Sequence, residues 1–186
     1  MLGKTHMVGG TCTGFLTTAW LLNHTNFSEQ PLLALAVPLL IASASFGSLL
    51  PDIDHPNSKM GRRVKPLSKF INKLVGHRGA THTLLAMMIV SLVLFLLNLS
   101  LPLSLQPLGL TAVLGVTVGY FNHLLLDALT PSGVPIFAPF YKKSIRFAKL
   151  TTGKYDVFVA ISMVVATFFL LSTDTPFVLM KLFSFA

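Results

Sequence analysis

Five stretches of the chain, at residues 7–23, 32–51, 83–100, 109–129 and 155–172, are each apolar over close to the length needed to cross a bilayer. A hydrocarbon core about 30 Å thick takes roughly 20 helical residues, and within it every backbone polar group must be satisfied internally. A helical bundle is therefore the expected architecture. Charge reinforces the constraint, because only 11% of the residues are charged and 53% are hydrophobic, against about 25% charged in an average soluble domain. The reading is an all-α, polytopic membrane bundle of about five transmembrane or membrane-embedded helices, forming a single domain over residues 1–186.

The first stretch is the weakest, since Gly9, Gly10, Thr11, Thr13, Gly14, Thr17 and Thr18 dilute it. Small residues of this kind also let helices approach closely in lipid. No small-x-small cleavage site follows it, so it is read as retained rather than as a signal peptide. The apolar tail from Pro176 to Ala186 is too short to span and is expected at the interface. Cys12 is the single cysteine, which excludes a disulfide framework and a thiolate zinc cluster.

If the five stretches alternate in direction, 13 of the 14 Lys and Arg residues fall on one side and only Lys181 on the other. The positive-inside rule makes that side cytoplasmic. Membrane orientation then accounts for the net charge of +8. The basic loops at 52–82 and 130–154 lack the interleaved aromatics of a nucleic-acid surface. Anionic phospholipid headgroups are the expected partners of these loops, and no nucleic acid is expected.

Most of the histidines and acidic residues occupy four short segments: His6 before the first stretch, Asp52, Asp54 and His55 after the second, His77 and His82 before the third, and His123 with Asp127 at the end of the fourth. The topology was set by Lys and Arg alone, yet it brings all four segments to one membrane face. His123 and Asp127, four residues apart, share one side of a helix and can bind one ion. Taken alone, the pair suits capping equally well; four converging segments favour a metal. Asp52, Asp54 and His55 lie between Pro51 and Pro56, in a stiff turn that presents ligands at little ordering cost. His24 and Glu29 fall on the opposite face and serve as controls, and Asp156 is read as a helix cap.

Imidazole and carboxylate without thiolate suit zinc, manganese or iron. The expected metal ligands are His6, Asp52, His55, His77, His82, His123 and Asp127. That set exceeds the three or four of one catalytic zinc and favours two divalent ions, zinc or manganese, about 3.5 to 4 Å apart. Asp54 is the candidate general base. Arg78 is the candidate clamp on a phosphoryl oxygen, with Arg62 and Arg63 as further substrate-binding residues. No Gly-x-Ser-x-Gly elbow is present, which argues against a serine nucleophile.

The motifs Leu50-Pro51-Asp52-Ile53-Asp54-His55, His77-Arg78-Gly79-Ala80-Thr81-His82 and Asn122-His123-Leu124-Leu125-Leu126-Asp127 together resemble the YdjM-type family, inner-membrane proteins of metal-dependent hydrolase type whose founding member is LexA-regulated. The resemblance covers most of the chain, from His6 to Pro135. It implies a bacterial cytoplasmic-membrane protein distantly similar to zinc-dependent phospholipase C and P1-type single-strand nucleases. Those enzymes use a His-x-x-x-Asp element, matched here by His123 and Asp127.

Residues and resemblance together lead to the expectation of a membrane-bound metal-dependent hydrolase, cleaving a phosphoester in a lipid or lipid-linked substrate at the cytoplasmic surface. Two alternatives stand beside it. One is a non-catalytic, metal-stabilised membrane protein that binds headgroups or a partner protein. The other is an ion transporter, against which the nearly charge-free centres of the spans argue.

Overall fold

A computed structural model describes residues 1–29, 32–75, 79–141 and 143–183, with side chains described for all of these except Val75 and residues 174–183. His77, Arg78 and Lys142 lie outside the described residues. Among the described residues the fold is helical: α1 (Gly3–His24), α2 (Leu33–Gly47), α3 (Lys65–Val75), α4 (Leu84–Leu99), α5 (Gln106–Ala128) and α6 (Asp156–Phe183). Short 3-10 turns at Asn26–Glu29, Pro51–Asp54 and Ala80–His82 connect them.

Three helical stretches, Leu33–Asp54, Gln106–Ala128 and Asp156–Thr173, are long and apolar enough to cross a membrane, and the apolar α4 is shorter. Helix α6 continues as one helix past Pro176 to Phe183, where the sequence suggested a separate interfacial tail. α1 is diluted by glycine and threonine, and the packing shows why. It sits inside the bundle against α2, α5 and α6, while α4 packs on the outer side of α5.

The α2–α5 crossing is built on small residues. A Cβ at Gly119 would stand 1.9 Å from the Ala44 carbonyl oxygen, and one at Gly47 would stand 2.3 Å from that of Val116. Contact this close replaces the hydrophobic drive that lipid removes with dispersion between backbones. It also fixes the rotation of α5, and with it the direction in which His123 and Asp127 point.

Helix α3 lies inside the segment read from sequence as a basic loop. Leu67, Phe70 and Leu74 are exposed on it, as are Lys65, Lys69 and Lys73. Two exposed sets, one apolar and one cationic, suit a helix lying in the plane of the headgroups. Asn72 Nδ2 donates to the Asp54 carbonyl oxygen at 2.7 Å, tying α3 to the turn that carries the acidic residues.

The connection from α5 to α6 folds back over the bundle end. Val134 and Ile145 pair in an antiparallel bridge, and Leu84 N–H donates to the Ile136 carbonyl at 2.9 Å. Gly133 turns this loop at φ 62°, where a Cβ would also meet the Ile145 oxygen at 2.5 Å.

Candidate metal centre

α1 and α4 begin, and α2 and α5 end, at the same end of the bundle, and there His6, Asp52, His82, His123 and Asp127 converge. His6, His82 and His123 are fully buried, Asp127 is 1% exposed, and the Asp52 side chain is 13% exposed.

The backbone fixes the tautomer of His123. Its Nδ1 lies 2.7 Å from the Ser48 carbonyl oxygen, and a carbonyl can only accept, so Nδ1 carries the proton and Nε2 presents a lone pair. His82 is fixed likewise. The Thr81 hydroxyl donates its one proton to Asp54 Oδ2 at 2.6 Å, so at 3.1 Å from His82 Nδ1 it acts as acceptor. Asp54 Oδ2, 3.4 Å from the same nitrogen, adds a negative charge. His82 is therefore protonated on Nδ1 and also turns a lone pair inward.

The two Nε2 atoms stand 3.3 Å apart. Two lone pairs at that distance repel; a cation between them attracts both. Asp52 Oδ1 lies 3.8 Å from His82 Nε2 and 3.9 Å from His123 Nε2. Asp127 Oδ2 lies 3.8 Å from each. Donors about 2.0 to 2.2 Å from a tetrahedral ion are roughly 3.3 to 3.6 Å apart, so the spacings suit a divalent ion after a small contraction.

His6 completes a second group. Its ring stacks on His123 with centroids 3.7 Å apart and 13° between planes, and its Nε2 is 3.2 Å from Asp127 Oδ1. That contact is at ion-pair distance, and among the described residues the other ring nitrogen of His6, Nδ1, has no hydrogen-bond partner. A buried imidazole in that state calls for a bound ion or water. Two groups of residues could hold a metal, His6–His123–Asp127 and Asp52–His82–His123. The Met1 nitrogen also donates to Asp127 Oδ1 at 2.5 Å.

Five expected ligands thus come together. His55 does not join either group: it is half-buried at the rim of a cavity of about 580 Å³ that opens beside Asp52 and Asp127. Asp54, expected as general base, is fully buried behind His82. Its carboxylate faces the far nitrogen of that ring, so it orients a ligand instead of meeting a substrate. Arg62 lines the cavity, whereas Arg63 lines a separate one against Phe46 and Leu49. The expectations for His77 and Arg78 lie outside the described residues. His24 lies at the other end of the bundle, stacked on Trp20.

Several supporting residues escaped the sequence reading. Thr81 and the Ser48 carbonyl fix the histidine tautomers, and Tyr120 donates to the Thr81 carbonyl oxygen. Thr81 and Tyr120 carry a weak sequence signal, a hydroxyl next to His82 and one three residues before His123. Asp156 is not a simple cap. Its Oδ1 accepts from Leu2 N and Thr5 Oγ1, each at 2.6 Å, and its Oδ2 from Gly153 N at 2.5 Å. It thereby pins the start of α1, one residue before His6, to α6.

Comparison with known proteins agrees with this architecture. The family model described as YdjM inner membrane protein matches residues 1–186. The inner membrane proteins YdjM of Escherichia coli (strain K12) and Shigella flexneri are each 44% identical over 100 residues, 54% of this chain and 49% of theirs. The match thus spans about half the length of those two relatives. The uncharacterized protein YvsG of Bacillus subtilis (strain 168) is 35% identical over 139 residues, 75% of this chain and 74% of that one. No solved structure matches. The chain belongs to the YdjM inner membrane protein family.

Proposed function

We propose that this YdjM-family membrane protein is a metal-dependent hydrolase that cleaves a phosphoester in a lipid or lipid-linked substrate at the cytoplasmic membrane surface. The observation that carries the reading is the pair of inward Nε2 lone pairs on His82 and His123, 3.3 Å apart, with a carboxylate oxygen of Asp52 and of Asp127 beside them.

In this reading His82, His123, Asp52 and Asp127 hold a divalent ion, zinc or manganese, and His6 with Asp127 supports a second. Such ions supply Lewis-acid polarisation of phosphoryl oxygens and make water nucleophilic near neutral pH. The chain's own residues do the rest. Asp54 and Thr81 hold His82 in its tautomer, the Ser48 carbonyl does the same for His123, and Arg62 at the cavity rim attracts the phosphate. The cavity beside Asp52 and Asp127 is the route by which a headgroup approaches.

A second reading, a metal-stabilised membrane protein without catalysis, is favoured by the burial of four of the five candidate ligands. A structural ion has a closed shell; a catalytic one keeps an open position.

The test is metal content by plasma mass spectrometry on detergent-purified protein. Wild type and His24→Ala are expected to carry stoichiometric metal, and His123→Ala and Asp127→Ala to lose it. Metal-loaded wild type should release phosphate or a headgroup from a phospholipid panel. Absence of metal in wild type, even after reconstitution with zinc or manganese, would sink the hydrolase reading. Stoichiometric metal without turnover would leave the structural one.

A further inference from the structure

A groove of about 560 Å³ runs along the outside of the bundle between α1 and α6. Its α1 wall is Lys4, Met7, Val8, Thr11, Cys12 and Phe15, the i, i+3, i+4, i+7 face of one helix. Val164, Thr167, Phe168 and Leu171 form the α6 wall. From Lys4 to Phe15 the helix rises roughly 16 Å, about half the thickness of a bilayer's hydrocarbon core.

The groove is apolar along its length and cationic at one end only, where Lys4 and Lys59 stand. Lys59 Nζ rests against Met7 Sδ on the groove wall. The same two lysines line the cavity that reaches Asp52 and Asp127, together with Arg62. The apolar trough and the cavity beside the candidate metal centre therefore share a pair of cations, Lys4 and Lys59, which line both.

Resting on the hydrolase reading and extending it, we infer that this groove is the acyl-chain subsite of the centre, and that its occupant is a membrane glycerolipid with an anionic phosphate headgroup. The chain lies in the trough, Lys4 and Lys59 hold the phosphate, and the headgroup faces Asp127. Charge complementarity selects an anionic lipid over a neutral one, and the length of the trough selects a chain-bearing ligand over a free phosphate ester.

Native mass spectrometry of the purified protein tests this with three probes: phosphatidic acid, diacylglycerol of the same chains, and glycerol 3-phosphate. Phosphatidic acid should bind tightest, diacylglycerol weakly, and glycerol 3-phosphate should not compete. A Lys4→Gln/Lys59→Gln double variant should bind phosphatidic acid roughly 25-fold more weakly, two basic contacts at about a factor of five each, with diacylglycerol binding unchanged. That unchanged binding also reports an intact fold. Val8→Trp, which fills the trough, should weaken both lipids. Equal binding of phosphatidic acid by wild type and all variants, or equal competition by glycerol 3-phosphate, would overturn the assignment.

The outcome is separable from that of the hydrolase reading. His123→Ala should lose metal and keep phosphatidic acid. A wild type without metal that still discriminates among the lipids as described would retain the groove and discard the hydrolysis; a metal-loaded wild type that does not discriminate would do the reverse.

Discussion

Thr81→Val removes one hydroxyl and leaves every candidate ligand in place, so it isolates the role of tautomer control. The hydroxyl donates to Asp54 Oδ2 at 2.6 Å and accepts from His82 Nδ1 at 3.1 Å. Without it His82 Nδ1 loses that acceptor while keeping the 3.4 Å contact to Asp54 Oδ2, and the weaker hold on the tautomer lets the proton spend more time on Nε2, where it would block a metal. Loss of an outer partner of this kind costs about 10- to 100-fold in metal affinity. Leaving the fully buried Asp54 carboxylate short of a donor adds a folding cost of about 1–3 kcal/mol. Thr83→Val is the matched control two residues on. Its hydroxyl accepts from Ala86 N at 3.0 Å and caps α4, so its loss should cost about 1 kcal/mol of stability and leave metal affinity unchanged. The assay is zinc affinity by chelator competition, with thermal unfolding of the same samples. Zinc binding by Thr81→Val as tight as wild type, or an equal loss in Thr83→Val, would refute the tautomer argument.

Three further outcomes follow from the packing. Gly119→Ala forces a Cβ to within 1.9 Å of the Ala44 carbonyl and should destabilise the bundle by about 1–3 kcal/mol or more, read as a lower midpoint of thermal unfolding in detergent; an unchanged midpoint would show that α2 and α5 can separate freely. Asp156→Ala releases three accepted hydrogen bonds and should lower stability by about 3 kcal/mol and weaken zinc binding through the loosened His6. Stability loss with wild-type zinc affinity would separate α1 anchoring from the site. Trp placed at Phe70 on α3 should fluoresce blue-shifted in vesicles containing anionic lipid and be quenched by shallow brominated acyl chains; a water-like spectrum would place α3 away from the bilayer.

The membrane bundle was legible because bilayer length is a coarse constraint that composition alone meets. The convergence of His6, Asp52, His82, His123 and Asp127 was legible for a different reason: alternating spans bring alternate loops to one side, so four distant segments share an end without any knowledge of packing. The roles within the cluster were not. Asp52 and Asp54 are two residues apart in a 3-10 turn of three residues per turn, so their side chains diverge by roughly 120°, one towards the imidazoles and one behind His82. The sequence gives the same residue type at both positions, and only the turn geometry distinguishes them. Helix α3 was hidden by its lysines, which the orientation count used up, although Leu67, Phe70, Ile71 and Leu74 repeat at helical spacing. The Ser48 carbonyl carries no side-chain signal at all.

The distribution of the candidate ligands over the chain bears on what an ion would do to the fold. His6 lies on α1, Asp52 in the turn after α2, His82 in the turn before α4, and His123 with Asp127 on α5. Each helix is held in lipid by dispersion and a few hydrogen bonds, which are modest forces, while the buried carboxylates and inward lone pairs oppose their assembly. A divalent ion would turn that opposition into a cross-link between four segments, and its binding energy would enter the folding energy directly. Chelation should then do more than switch a site off. It should loosen the end of the bundle that carries α1, α2, α4 and α5, seen as faster amide exchange there, and leave the Trp20–His24 end protected. Uniform protection with and without chelator would mean that the bundle holds these side chains together unaided.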